Sequence, residues 1–147
     1  MALQTEYPNR RAKGYPGMLS DTGFFDNDSM TVETAAVAFG APVAYGSGDR
    51  MCRPMAAGDT RIAGVAIRVQ GLAATEARED EFAVGDTASI MKKGRMFVTA
   101  SVAVAAGDPV HVVLATGAWT NTGGLEVAGG VYQTGAAAGE LARIRLT

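Results

Sequence analysis

An all-β domain is the architecture this sequence predicts: a jelly-roll-like β-sandwich or barrel of about 8–10 short strands, preceded by an extended N-terminal arm. Three observations predict it. The 147 residues are 48% hydrophobic but only 7% aromatic and include 19 glycines, and small side chains interrupted by Gly favour short strands and turns over long helices. Apolar residues recur with a period of two, as in Arg95 to Val104, where Met96, Val98, Val102 and Val104 alternate with small or polar groups. An Ala-Ala-Gly-acid unit precedes a strand three times, at Ala56 to Asp59, Ala105 to Asp108 and Ala137 to Glu140, and Val84-Gly85-Asp86-Thr87 is a looser fourth. In such a unit Gly takes the positive φ of a tight turn while the acid bonds back to exposed N–H groups.

Residues 1–29 read as the arm and residues 30–147 as the β-domain. Tyr7-Pro8 and Tyr15-Pro16 hold the backbone extended, and no period of 2 or 3.6 is sustained there. The arm carries Tyr7, Arg10, Arg11, Lys13, Tyr15, Phe24 and Phe25; such rings gain free energy by docking, either on their own domain or on a partner.

The domain then begins with a strand over Thr31 to Phe39, a second over Val43 to Tyr45, and a flexible turn at Gly46 to Asp49. A short segment from Arg50 to Pro54 holds the lone Cys52, read as a small buried hydrophobe. A long strand opens within 56–65 and runs to Gln70. Leu72 to Glu81 is the one stretch with helical propensity, a short helix or an exposed acidic loop. Lys92-Lys93-Gly94 reads as a hairpin turn between Ile90-Met91 and Met96-Phe97. The strand from Arg95 ends at a turn over Ala105 to Pro109, and Val110 to Leu114 resumes. Beyond Trp119 and a turn at Thr120 to Gly124, strands over Gly130 to Thr134 and Leu141 to Leu146 close the chain.

A chain of 15.1 kDa fits one domain, and at this size folding buries roughly 68–70% of the unfolded surface. A net charge of −2 and a pI of about 5.3 argue against direct nucleic-acid binding. One cysteine permits no internal disulfide and no cysteine metal cluster. No apolar run of secretion or membrane-spanning length occurs, so a soluble protein made in the cytoplasm, with no membrane partner, is expected.

Catalytic constellations are missing from the pattern. His111 is the single imidazole, and its place in Val110-His111-Val112-Val113 suits a strand histidine better than a base. Asp26-Asn27-Asp28-Ser29-Met30 resembles the start of a calcium loop, but Thr31 stands where Gly is needed and Val37 where Glu is needed. No phosphate-cradling glycine loop occurs, and Glu79-Asp80-Glu81 are chain neighbours, not carboxylates opposed across a cleft. No catalytic, cofactor-binding or metal residue is therefore assigned, and an enzyme is not expected.

Ile62-Ala63-Gly64-Val65-Ala66, the run from Gly85 to Val98, Ala106-Gly107-Asp108-Pro109-Val110 and Gly117-Ala118-Trp119, together with the arm, resemble the structural cement, or capsid decoration, proteins of tailed bacteriophages. The resemblance covers most of residues 30–147. It implies a small all-β structural protein, made in the host bacterial cytoplasm, that joins the exterior of the virion capsid. Its partner would be the major capsid protein, whose subunits it would bridge and stabilise. On that reading Tyr7, Arg10, Arg11, Tyr15, Phe24 and Phe25 are the candidates for capsid or self-association contacts, since Tyr, Phe and Arg are enriched at interfaces. A homo-oligomer, a dimer before a trimer, is expected from exposed sheet edges. The alternative is a β-sandwich recognition module of a virion, on a tail or surface, binding a receptor or carbohydrate; it would call for several exposed aromatics in a groove, and Tyr45, Trp119 and Tyr132 are few.

Overall fold

The computed structural model describes residues 14–21, 23–69 and 80–147. Among these the chain forms eleven strands and no helix: β1 (Asp26–Val32), β2 (Val37–Ala38), β3 (Pro42–Tyr45), β4 (Met51–Pro54), β5 (Gly64–Ala66), β6 (Glu81–Phe82), β7 (Thr87–Thr99), β8 (Pro109–Val113), β9 (Ala118–Thr120), β10 (Leu125–Tyr132) and β11 (Leu141–Leu146). The protein is all-β, as its sequence predicts.

Nine of these strands make two rings that share β7, while β2 and β6 pair separately as an antiparallel ribbon. In the first, β1, β4, β3, β5 and β7 follow in order and β1 pairs back onto β7, closing the circle. The β1–β4 contact is parallel and the other contacts in this ring are antiparallel. In the second, β7, β11, β10, β8 and β9 follow in order. Ala100, just past the end of β7, bridges Trp119 of β9 in parallel, and the Ser101 N–H donates to the Trp119 carbonyl at 2.8 Å. Ring closure removes the exposed edges at which strands of separate chains pair, so the edge-to-edge route to self-association has little to use.

Each ring has its own core. Met30, Val32, Val43, Cys52, Ala88 and Ile90 fill the first, with Phe39 and Phe82 meeting edge to face at 5.0 Å. Met91, Met96, Val98, Val110, Val112, Trp119, Tyr132 and Ile144 belong to the second. Strand β7 serves both cores because of a β-bulge at Lys92: Asp26 lies opposite Lys93 while the next residue, Asn27, lies opposite Met91. One extra residue reverses the parity of inward positions. Met91 before the bulge and Met96 and Val98 after it therefore face the same core.

Several sequence expectations are corrected here. Lys92-Lys93-Gly94 is no hairpin turn. Pairing partners on both sides of β7 hold the chain extended through it. The strand expected over Thr31 to Phe39 is two pieces, because Thr34 at φ 73° interrupts it. β1 starts at Asp26, so the expected arm–domain boundary at 29/30 falls inside a strand. The long strand expected to Gln70 is only three residues, Gly64–Ala66. Of the expected helix or loop, residues 72–79 lie outside the described residues, and Glu81 belongs to β6.

The repeated Gly-acid units are turns of one kind. In each, the acid's N–H donates to the carbonyl three residues back: Asp59 to Ala56, Asp86 to Ala83, Asp108 to Ala105 and Glu140 to Ala137. In each, its carboxylate accepts that same residue's N–H, at 2.7, 2.8, 2.9 and 3.3 Å respectively. The preceding Gly58, Gly85, Gly107 and Gly139 hold φ of 92°, 91°, 96° and 83°, and nothing lies within 4 Å of a Cβ added to any of them. Glycine is thus needed there for its conformation, not for space.

Candidate functional site

The N-terminal segment is built into the sheet. The Gly17 N–H donates to the Phe97 carbonyl (2.9 Å), the Phe97 N–H to Met18 (3.0 Å) and the Ser20 N–H to Arg95 (3.1 Å), and Leu19 bridges Met96. Residues 17–20 and then β1 therefore run antiparallel to β7 along its length. Leu19 packs on the second core.

Arg68 clips this ribbon in place. Its backbone N–H donates to the Gly17 carbonyl (2.8 Å), its Nε to the Pro16 carbonyl (3.0 Å) and its Nη1 to Asp80 (2.6 Å). The guanidinium also lies 5.2 Å from the Tyr15 ring centre and 5.1 Å from that of Phe39, distances at which a cation is drawn to an aromatic face. Gly17 and Gly40 meet so closely that a Cβ on Gly17 would fall 2.7 Å from the Gly40 nitrogen. The Gly40 carbonyl in turn accepts the buried Trp119 Nε1–H at 2.7 Å. Tyr15, 60% exposed, stands at the rim of a cleft of about 470 Å³ that reaches Trp119.

Residues 23–25 form a short loop that leads into β1. Phe24 and Phe25 sit on this loop, 63% and 43% exposed. Gly94 lies beneath it at φ 132°; a Cβ there would meet the Phe25 Cβ at 2.8 Å and the Phe24 carbonyl at 3.2 Å. At the loop's start, Asp21 accepts the Gly23 N–H (3.1 Å) and Arg95 Nη1 (3.0 Å). The Gly23 bond first, and Arg95 second, hold the Asp21 carboxyl below its ordinary range. Two exposed rings are thus presented on a loop tied at both ends, a pre-organised arrangement that lowers the ordering cost of binding.

Of the arm residues singled out by sequence, the structure brings Phe24 and Phe25 together on the loop and leaves Tyr15 apart, at the Arg68 clip. Tyr7, Arg10 and Arg11 lie outside the described residues. The carbohydrate-type aromatics are dispersed. Trp119 is 3% exposed and Tyr132 fully buried, its hydroxyl donating to the Thr120 carbonyl at 2.9 Å. Tyr45 is exposed, but Arg61 lies 5.1 Å and Lys92 5.8 Å from its ring centre. Lys92 also pairs with Asp28 at 3.2 Å.

The candidate reactive groups are structural. His111 Nδ1 donates to the Gly123 carbonyl at 2.8 Å, tying β8 to the turn before β10. Burial first, and the Glu33 charge second, push the Cys52 thiol up to about 11, so the reactive thiolate is scarce at neutral pH. Among the described residues no three His, Cys, Asp or Glu side chains are grouped to hold a metal ion.

A family model described as "Structural cement protein (E217 gp24/Pam3 gp6)" matches residues 3–147. A chain in the capsid of Myoviridae phage XM1 superposes with a TM-score of 0.77 at 18% identity, covering 100% of this chain and 98% of that one. The head fiber gp8.5 N base of bacteriophage phi29 superposes with a TM-score of 0.56 at 18% identity, covering 84% of this chain and 95% of that one. No curated protein matches the sequence.

Proposed function

This chain belongs to the structural cement protein family of phages, and from that premise we propose that it binds the exterior of an assembled capsid and bridges neighbouring major capsid subunits. The observation that carries the reading is the anchored loop with Phe24 and Phe25 exposed, because buried aromatics dominate protein interfaces. Tyr15, apart at the Arg68 clip, and Tyr7, Arg10 and Arg11 of the arm are further candidates for contact with the shell. Synthesis takes place in the host cytoplasm, and the protein acts by binding and not by catalysis.

A protein that binds the assembled shell and not its free subunits stabilises the shell by about 2.7 kcal/mol per site at 100 times its dissociation constant. Modest contacts repeated over many sites are then sufficient. Copies that self-associate on the shell, as dimers or trimers, do so through faces, since ring closure occupies most edges.

The test is co-sedimentation with phage shells lacking the protein, followed by heating. Saturable binding with a raised disruption temperature is expected. Absence of binding at tens of micromolar protein overturns the reading.

A further inference from the structure

A second surface lies on the outer face of β7, β11 and β10. Met96, Val98, Ala142, Ile144 and Tyr132 are buried, so alternation puts Arg95, Phe97, Arg143, Arg145 and Gln133 on the opposite side. The strand register sets Arg145 directly opposite Arg95 and Arg143 directly opposite Phe97. Like charges opposed across an antiparallel pair destabilise a sheet. Asp21 pairs with Arg95 at 3.0 Å and its charge also reaches Arg143, but among the described residues no carboxylate comes within ion-pair distance of Arg143 or Arg145.

Among the described residues, the buried side-chain atoms without a hydrogen-bond partner, Arg143 Nε, Gln133 Oε1 and Ser20 Oγ, lie at this face. Gln133 is next to Arg143 across the β10–β11 ladder, its N–H donating to the Arg143 carbonyl at 2.7 Å. Ser20 is next to Arg95, to whose carbonyl its N–H donates. Unmet polar groups and opposed arginines therefore coincide in one place. Residues 1–13 do not complement it by charge, since they hold Arg10, Arg11 and Lys13 against Glu6 alone.

We propose that this face, centred on Arg143 and Arg145 with Arg95 beside them, docks a carboxylate-bearing extended segment of a major capsid subunit. The guanidinium fork matches a carboxylate through two parallel hydrogen bonds. Arg143 and Arg145 are two residues apart on one strand, roughly 7 Å, the spacing of alternate side chains on an extended partner. The inference rests on the capsid-binding reading and names the chemistry of the surface bound.

The experiment measures binding of full-length wild type and of R143Q/R145Q to shells lacking the protein, from 50 to 500 mM NaCl. Thermal unfolding of each protein alone serves as the folding control, and R50Q, on the first ring, as the charge control. Expected are at least tenfold weaker binding of the double variant at 50 mM NaCl, a shallower salt dependence than wild type, and near wild-type binding by R50Q. If wild type fails to bind, the capsid reading itself fails. If wild type binds and a folded R143Q/R145Q binds equally with the same salt slope, this inference alone is overturned. Arginine-dependent self-association in light scattering, or arginine-dependent retention of duplex DNA, also overturns it by assigning the face to another occupant.

Discussion

The Phe25 Cβ lies 2.8 Å from where a side chain on Gly94 would begin, and Gly94 holds a φ of 132°. The loop that exposes Phe24 and Phe25 therefore passes directly over a β7 residue that has no side chain. Presentation of the loop and continuity of the long strand depend on the same position.

Gly94→Ala is expected to destabilise the protein by about 2–4 kcal/mol, through backbone strain and displacement of the loop together. Gly107→Ala, with a φ of 96° and nothing within 4 Å, is expected to cost only about 1–2 kcal/mol, from conformation alone. Urea unfolding of both variants checks this. Equal losses would remove the contact with Phe25 from the explanation.

Phe24→Ala and Phe25→Ala test the exposed rings without disturbing a core. Each is expected to weaken shell binding by about tenfold or more, the loss of an aromatic anchor. Phe24→Ala should shift stability by less than about 0.5 kcal/mol, as for other surface substitutions. Binding isotherms and thermal scans together distinguish a lost contact from a lost fold.

Asp59 gives an acid-side prediction. It accepts Arg53 Nη2 at 2.7 Å and Nη1 at 3.0 Å, and also the Ala56 N–H at 2.7 Å. The Arg53 bond first holds its carboxyl below the ordinary 3.8. A depressed folded-state pKa contributes stability above the unfolded value and loses it as pH falls through the folded one. Asp59→Ala should thus cost about 2 kcal/mol at pH 7. The difference from wild type should narrow below about pH 3.8, as read from denaturation curves at pH 7 and pH 3.

Cys52 and Tyr132 act with the opposite sign on the alkaline side. Burial raises the thiol from 9.0 to about 11 and the phenol from 10.0 to about 12. The folded state holds both protons more tightly than the unfolded chain, so stability is intact below pH 9 and declines as pH rises from there. The thiol alone accounts for a loss on the order of 2 kcal/mol by pH 11. Cys52→Ala should flatten the decline between pH 9 and 10, measured by denaturation under reducing conditions. An unchanged slope would show that the thiol is not its source.

Local chemistry was the legible part of this chain. The Gly-acid turns could be read from the sequence because both of their hydrogen bonds close within four residues, with Gly107 and Asp108 needing nothing else from the fold. Leu141 to Leu146 was readable as a strand because its alternation matches its one buried face. Lys92-Lys93-Gly94 was misread for the complementary reason. Two basic residues and a Gly carry the same local signal as a turn or a bulge, and only partners on both sides of β7 select the bulge.

The sequence by itself determined an all-β chain with turns at its Gly-acid units, a buried inert Cys52, and aromatic residues at 24 and 25 that required a place to dock. These follow from periodicity, backbone conformation and side-chain chemistry, which act over a few residues. Tertiary structure alone decided that β7 is shared by two closed rings, that residues 17–20 lie along it, and that Arg95, Arg143 and Arg145 share one face. Those outcomes depend on which distant strands pair and in what register. A single extra residue at Lys92 changes that register, and no local preference records it.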